Sequence, residues 1–413
     1  MDVAVFHPGT QHSWQTATAL QDLDRLAWYA TSIFYQPDRF PYRLERYAPG
    51  ALGERLHREF RRFQHPGLNP AKVRTAGWAE WAERIAKRLG QRRLAKRIDM
   101  WGNDRFVANL AAAVTSAERF ALWGYSGSSR STFELARQHG RTCILDRTNG
   151  DFRIYNRMME PVRQDYGEWF LPAERPIPQE IIDSDAAEYR LARRILVGSP
   201  FARRTIEQAE DDPTIRDRTR VLNYCYDEPL FAHLPPPKPV GRDEPVKFLW
   251  VGLVIPRKGI QYVLEAIEKI PPSAAQLTIV GDLKLPRRVF ARYSDRVRYI
   301  PTVSRADVPA IMADHHAFLL PSLFEGAGIT LYEALASGCA LIQSDRCAEA
   351  VTPETGLQIG QPSTESVHRA MMTMVEDRDR LNAWRAAAQG EARQYSFAHY
   401  RDNIAGELAS LGL

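Results

Sequence analysis

The sequence predicts an α/β protein of two domains, each built on a parallel sheet. Short apolar runs alternate with longer helical patterns along most of the chain. Those runs are continuously apolar, as suits strands covered on both faces. A proline-rich stretch, EPLFAHLPPPKPVGRDEP at 228–245, then interrupts the alternation. Proline fits neither a helix interior nor a central strand, so this stretch reads as a linker. The length of 413 residues agrees with two or three domains. With 44% apolar and 25% charged residues, whole-chain disorder and collagen-like repeats are excluded.

Strands are expected at 3–7, 119–124, 142–146, 194–199 and 219–223, and after the linker at 246–252, 276–281, 297–301, 316–321 and 339–344. The first domain is placed at 1–227, the linker at 228–245 and the second domain at 246–394. A last helical pattern, within 395–413, is expected to cross back to the first domain. No internal repeat is visible.

The net charge of +5 is unevenly spread. Residues 43–99 hold 15 Lys or Arg against six Asp or Glu, so this segment carries +9 and the remainder −4. Within it, Trp78, Trp81, Ile85 and Leu89 form one apolar stripe at helical spacing, with Arg84, Lys87, Arg88, Arg92, Arg93, Lys96 and Arg97 around it. A basic amphipathic helix over 78–98 suits an anionic membrane surface. A core-facing stripe with a solvated basic back is the other reading. No nucleic-acid module accompanies the charge, so no nucleic-acid partner is expected. Four cysteines without metal-ligand spacing point to a reducing cytoplasm. The opening MDVAVFH reads as a strand and not as a secretion signal, and no apolar run approaches the ~18 residues of a membrane span. The expected setting is cytoplasmic, with the basic helix as a route to the inner face of the plasma membrane.

The chemistry concentrates at 316–338, HAFLLPSLFEGAGITLYEALASG. A buried strand enters a turn at Ser322 to Gly328, and a helix follows, ending near Gly338. Gly326 and Gly328 let backbone N–H groups approach an anion at the carboxyl end of a parallel strand, where open α/β sheets bind ligands. Glu325 lies in the turn and Glu333 eight residues on. A helix rises roughly 12 Å over that distance, so the two carboxylates suit opposite ends of an extended diphosphate ligand, each accepting hydroxyl hydrogen bonds. The plainer alternative makes Glu325 a helix cap and Glu333 a solvated helix residue. A second segment, VKFLWVGLVIPRKGIQYVLEAI, sets Arg257 and Lys258 after the first strand of the second domain, where two cations would neutralise a diphosphate. Ordinary surface bases in a βα loop are the alternative.

Together these segments resemble the retaining glycosyltransferases of family 4. FEGAGITLYEALASG is similar to their E-x7-E signature, and VGLVIPRKGIQYVLEA to their VGRL-x-P-x-KG segment. TIVGD at 278–282, ARRILVGSPFARRTI at 192–206 and VLNYCYDEPLF at 221–231 fit the same family. The resemblance covers about 190–350. It implies the GT-B fold, two Rossmann-like domains facing each other across a cleft. It also implies a metal-independent, retaining hexosyltransferase using a UDP- or GDP-sugar, with no cofactor and no enzyme nucleophile, in the manner of polysaccharide biosynthesis enzymes. The acceptor would be a glycan, lipid-linked or lipopolysaccharide-type hydroxyl. Carried over, Glu333 would bind the ribose and Glu325 would face the donor sugar. Lys258 would hold the diphosphate and stabilise the leaving nucleotide, with Arg257 as second cation. Gly252, Gly326, Ala327, Gly328 and Ile329 would line the phosphates, and Val303 would face the base.

Two departures stand out. Gly252 is followed by Leu253 where the family has Arg, and VLNYCYDE replaces Pro-Asn-Gly-Val-Asp. On the acceptor side, Gly9 and His12 lie in the turn after the first strand, Gly124 to Ser129 forms a second turn, and Arg147 stands in a third. His7 or His12 would orient an acceptor hydroxyl or contact phosphate, with a purely structural histidine as the alternative. Arg147 would meet an anionic acceptor or the donor, or form an internal salt bridge. The D-x-D triplets Asp22/Asp24, Asp183/Asp185 and Asp377/Asp379 do not follow strands and read as caps and solvated faces, so no metal is expected. A nucleotide-sugar epimerase or hydrolase on the same fold, or a non-catalytic sugar- or membrane-binding module, are the competing classes.

Overall fold

A computed structural model describes residues 1–9, 12–40, 42–61, 63, 65, 67–75 and 106–413. The expected basic helix at 78–98 lies outside the described residues, as does most of its apolar stripe's surroundings.

The N-terminal sheet has seven strands: β1 Asp2–Phe6, β2 Leu26–Thr31, β3 Val73–Thr75, β4 Phe120–Tyr125, β5 Cys143–Arg147, β6 Arg194–Val197 and β7 Thr219–Val221. Their order is β3-β2-β1-β4-β5-β6-β7, with β1 paired in parallel to both β2 and β4. Every residue of β4 and β5 is buried, so neither strand alternates core-facing with exposed residues, and β5 ends on two buried charged residues, Asp146 and Arg147. The sequence reading missed β2 and β3. The chain enters β2 through Asp24 in the left-handed region (φ 54°), so the turn carries no glycine or proline to announce it.

The second sheet has six strands: β8 Val246–Val251, β9 Ala275–Val280, β10 Val297–Ile300, β11 Ala317–Leu320, β12 Ala340–Ser344 and β13 Gly356–Ile359. All its pairs are parallel, in the order β10-β9-β8-β11-β12-β13. The four-residue edge strand β13 was also not foreseen. A core of Val246, Phe248, Trp250, Ile279, Leu319 and Ile342 packs one face of this sheet under helices Ile260–Glu268 and Thr364–Glu376. Leu249, Phe318, Leu320 and Leu341 pack the other against helix Thr330–Ala336.

In both sheets strand order reverses beside the first strand, between β1 and β4 and between β8 and β11. Such switch points open a crevice at the carboxyl ends of the strands, the usual ligand position in open α/β sheets. The described residues that border them are 7–9, 12 and 126–129 in the first sheet, and 252–259 and 321–329 in the second.

The chain divides into two compact units, which differ from the boundaries read in sequence. The first comprises Met1–Arg147, Asp183–Leu196 and Arg401–Leu413, and the second Thr148–Ile182 and Val197–Tyr400. The proline-rich 228–245 stretch therefore does not mark the division. It lies within the second unit, strapped along helix Arg378–Glu391. There Asn382 accepts from the Val240 N–H at 2.8 Å, Arg385 donates to the Lys238 carbonyl, and Gln389 donates to the Pro235 carbonyl at 3.2 Å. Residues 148–150 and 197–205 belong to the second unit, where Thr148, Gly150, Ser199 and Phe201 pack on the 324–328 turn. Within the first unit, Arg194 reaches Glu407 at 3.1 Å and Ser410 at 2.8 Å, fixing the last turns of helix Phe397–Ser410. Among the described residues no helix is long and apolar enough to cross a membrane.

Candidate functional site

The two loops at the β8/β11 switch point are stitched together by the residues that sequence singled out. After β8 the chain makes a 3-10 turn, Pro256–Lys258, and starts helix Ile260–Glu268 through Gly259. Gly259 has φ +80°, and a Cβ there would lie 2.1 Å from the Pro321 carbonyl oxygen, so only glycine lets the loops meet. Across this contact the Leu323 N–H donates to the Arg257 carbonyl at 2.8 Å, and Arg257 Nη1 donates to the Phe324 carbonyl at 2.5 Å.

Glu325 sits between the two cations. Its Oε2 lies 2.9 Å from Lys258 Nζ and 3.2 Å from Arg257 Nη1, with the Ser322 hydroxyl at 3.5 Å. Burial alone would raise the carboxyl pKa, but Arg257 and Lys258 outweigh it and hold it at about 2. Glu325 is thus ionised throughout the physiological range and is not a helix cap. The cluster is a buried carboxylate flanked by two cations.

The turn beyond Glu325 is held rigidly. Gly326 passes so close to residues 148–149 that a Cβ would fall 1.8 Å from the Thr148 carbonyl oxygen. Its own carbonyl accepts from Ser199 Oγ at 2.5 Å, and the Ala327 carbonyl accepts from the Ala348 N–H at 2.7 Å. Beneath it Phe324 packs edge-on against Tyr155 and Phe201, and Gly150 leaves room for its ring. The helix starts only at Thr330, after Ile329, so Glu325 and Glu333 are separated by a turn and not by a continuous helical rise. Glu333 is not a solvated residue: its side chain is 2% exposed, and it accepts from Arg305 Nη2 at 2.6 Å. Gly252 follows β8 with its N–H donating to Val280, Leu253 beside it is exposed, and Val303 lies in the loop after β10, packed against the core.

In the first unit, the β1/β4 switch point carries His7, Gly9 and His12. His7 is buried edge-on against Tyr125, and burial pushes its imidazole pKa down. The Gly9 carbonyl accepts from Thr31 Oγ1 at 3.1 Å. His12 precedes helix Ser13–Asp22, with Nδ1 3.3 Å from Gln15 Oε1. Of the three readings open for Arg147, the internal salt bridge is the one present: its guanidinium is 1% exposed and lies 2.5 Å from Asp185. The expectation that Asp183/Asp185 mark a solvated face is corrected accordingly for Asp185, which helix Gln179–Leu191 turns inward.

Sequence reasoning missed Glu188. This buried carboxylate fills the Gly127–Arg130 turn, accepting from the N–H groups of Gly127 (3.0 Å), Ser129 (2.8 Å) and Arg130 (3.1 Å). Burial raises its pKa to about 7 against the pull of those N–H groups. The donors that a glycine-rich turn would offer an anion are therefore already engaged. Arg305 was missed too, because its partner Glu333 lies 28 residues away. Among the described residues no group of three His, Cys, Asp or Glu side chains is placed to hold a metal ion.

Residues 236–391 match the family model for glycosyl transferases group 1, a segment that contains both switch-point loops of the second sheet. The O-antigen chain mannosyltransferase B of Escherichia coli is 25% identical over 163 residues, 36% of this chain and 42% of that protein. A GDP-mannose-dependent monoacylated alpha-(1-6)-phosphatidylinositol monomannoside mannosyltransferase of Corynebacterium glutamicum is 27% identical over 168 residues, 37% of this chain and 43% of that protein. These matches span less than half the length of either relative. Over whole chains, the solved structure of Anabaena HepE in complex with UDP superposes with a TM-score of 0.62 at 16% identity, covering 99% of this chain and 100% of that one. The fold, two Rossmann-like halves with parallel sheets, is GT-B.

Proposed function

We propose that the protein is a retaining, metal-independent hexosyltransferase that moves a sugar from a UDP- or GDP-sugar to a hydroxyl of a glycan, lipid-linked or lipopolysaccharide-type acceptor. The observation that carries this reading is the Arg257–Glu325–Lys258 cluster at the β8/β11 switch point, inside the segment that matches glycosyl transferases group 1. The two relatives, both mannosyltransferases and one of them GDP-mannose-dependent, and the UDP complex of the structural neighbour support a nucleotide-sugar donor.

In this reading Lys258 and Arg257 take the diphosphate, and the backbone of Gly326, Ala327, Gly328 and Ile329 adds N–H donors. Gly252 leaves space beside them, Val303 faces the base and Glu333 accepts the ribose hydroxyls. The bond from the anomeric carbon to the diphosphate oxygen breaks as that carbon gains oxocarbenium character. The leaving oxygen's new charge falls on Lys258 and Arg257, while ionised Glu325 faces the electron-poor sugar. The acceptor oxygen then bonds to the same face, and its proton passes to the departing diphosphate, so no enzyme nucleophile is needed. The first unit supplies the acceptor contacts at His12 and Gly9, while Arg147 is engaged by Asp185. The basic 78–98 segment brings the protein to an anionic membrane surface on the cytoplasmic side. Neither a cofactor nor nucleic acid takes part.

The test is acceptor-dependent nucleoside diphosphate release from a panel of UDP- and GDP-sugars. Lys258→Ala and Glu325→Ala should each lower the rate by about 10²–10³-fold, the usual cost of removing one preorganised charge partner. Unchanged transfer in both variants would overturn the assignment.

A further inference from the structure

Glu333 and Arg305 form a pair with unequal exposure. The carboxylate side chain is 2% exposed and the guanidinium 56%, with Arg305 Nη2 donating to Glu333 Oε1 at 2.6 Å. Arg305 opens the 3-10 segment Arg305–Asp307 after β10, whereas Glu333 lies on helix Thr330–Ala336 after β11. The contact therefore joins loops from strands on both sides of the switch point. Two exposed ions in such a pair would contribute little. Here one partner is taken almost wholly out of water, and a buried carboxyl without a cation is neutral.

The charged groups that act on Glu333, among the described residues, are Arg305 and Asp227. Burial raises the Glu333 pKa most, Arg305 opposes it by charge and hydrogen bond, and Asp227 adds to the rise. Asp227 is itself half-buried, and burial raises its pKa while the same Arg305 charge opposes the rise.

Resting on the reading of Glu333 as the ribose contact, we propose that Arg305 is a positioning residue for the nucleotide. It fixes one oxygen of Glu333 and keeps the carboxylate charged, so that Glu333 accepts hydrogen bonds from a ribose diol. A neutral carboxyl would present one donor and fewer acceptor sites, and would match a diol less well. Arg305 acts through Glu333 and is not a catalytic residue.

Calorimetric titration of UDP and GDP into the full-length protein between pH 6 and pH 9 tests this. Arg305→Met should weaken binding of the preferred nucleotide at least tenfold at pH 7. Affinity should recover as pH rises and Glu333 loses its proton, a pH profile that a merely structural contact would not produce. Arg305→Lys, which keeps the charge, should restore most of the affinity at pH 7. Arg305→Met leaves the buried Glu333 carboxyl without its cation and should lower the melting temperature at pH 7, whereas Arg305→Lys should stay close to the parent, so the titrations are run well below both melting temperatures. Arg305→Met with parental affinity and pH dependence would overturn the proposal, provided Glu333→Gln weakens binding. If Glu333→Gln also binds as the parent does, or the parent binds neither nucleotide, the reading of the donor site fails first.

Discussion

Replacing Gly326 with alanine probes the turn that both glutamates depend on. The added Cβ would sit 1.8 Å from the Thr148 carbonyl oxygen, 2.8 Å from its carbon and 3.1 Å from Asn149 Cα. Contacts below 3.0 Å do not occur for real Cβ atoms, so the backbones must separate by at least about 1.2 Å. Neither can yield cheaply. The Gly326 carbonyl is bonded to Ser199 Oγ, and the neighbouring 150–151 backbone is anchored through Thr205, whose hydroxyl accepts from the Asp151 N–H at 2.8 Å. Overpacking of this kind costs about 1–3 kcal/mol. A shift of this size also moves Glu325 relative to Lys258 and Arg257, where a displacement near 1 Å costs about 10²-fold in rate. Thermal unfolding followed by circular dichroism, with UDP and GDP titrations, should show a lower melting temperature and a loss of nucleotide affinity. A variant with parental melting temperature and affinity would refute the close approach of residues 148–149 to this turn.

Three further outcomes follow from the buried charges. Asp185→Ala removes the carboxylate 2.5 Å from the buried Arg147 guanidinium and should destabilise the protein by roughly 1–3 kcal/mol in urea unfolding, the cost of one lost hydrogen bond to a buried charged group. Equal stability of Asp185→Ala and parent would count against the buried pair. His316 accepts the Lys247 N–H on Nδ1, and burial lowers its pKa to about 3, so the folded protein holds it neutral while the unfolded chain protonates it below about 6.5. Its contribution is complete above that value and declines as pH falls towards 3, with a slope of up to about 1.4 kcal/mol per pH unit. His316→Gln should flatten the stability profile between pH 6 and 4, and an unchanged slope would contradict the buried neutral state. His65, stacked on Trp14 and lowered to about 4 by burial, should add a slope of the same sign over a narrower range.

The parts of the site that sequence made legible are those carried by local pattern. Arg257, Lys258 and Glu325 all follow buried strands within a few residues, so the strand ends alone bring them to one switch point. Contacts between distant segments were not legible. Glu188 reaches the 127–130 turn across about 60 residues, and nothing near it in sequence distinguishes it from a surface glutamate on a helix. The same holds for Asp185, which lies 38 residues from Arg147, and for Arg305, since the charge of a side chain does not say which partner it meets. The fold class followed from the alternation of apolar runs and helical patterns. Strand β2 escaped because Asp24 makes its entry turn, and the 228–245 stretch misled because proline reports only what the backbone cannot do. That Asn382, Arg385 and Gln389 would line up to hold it is a property of a helix more than a hundred residues later.

The decisive property of this protein is where it binds a nucleotide. A crystal structure with the tighter-binding of UDP and GDP would test that most directly. The diphosphate is expected against Lys258 and Arg257, within reach of the 326–329 backbone, and the ribose diol on Glu333. A nucleotide bound elsewhere, with Lys258 still closed on Glu325 at about 2.9 Å, would contradict it.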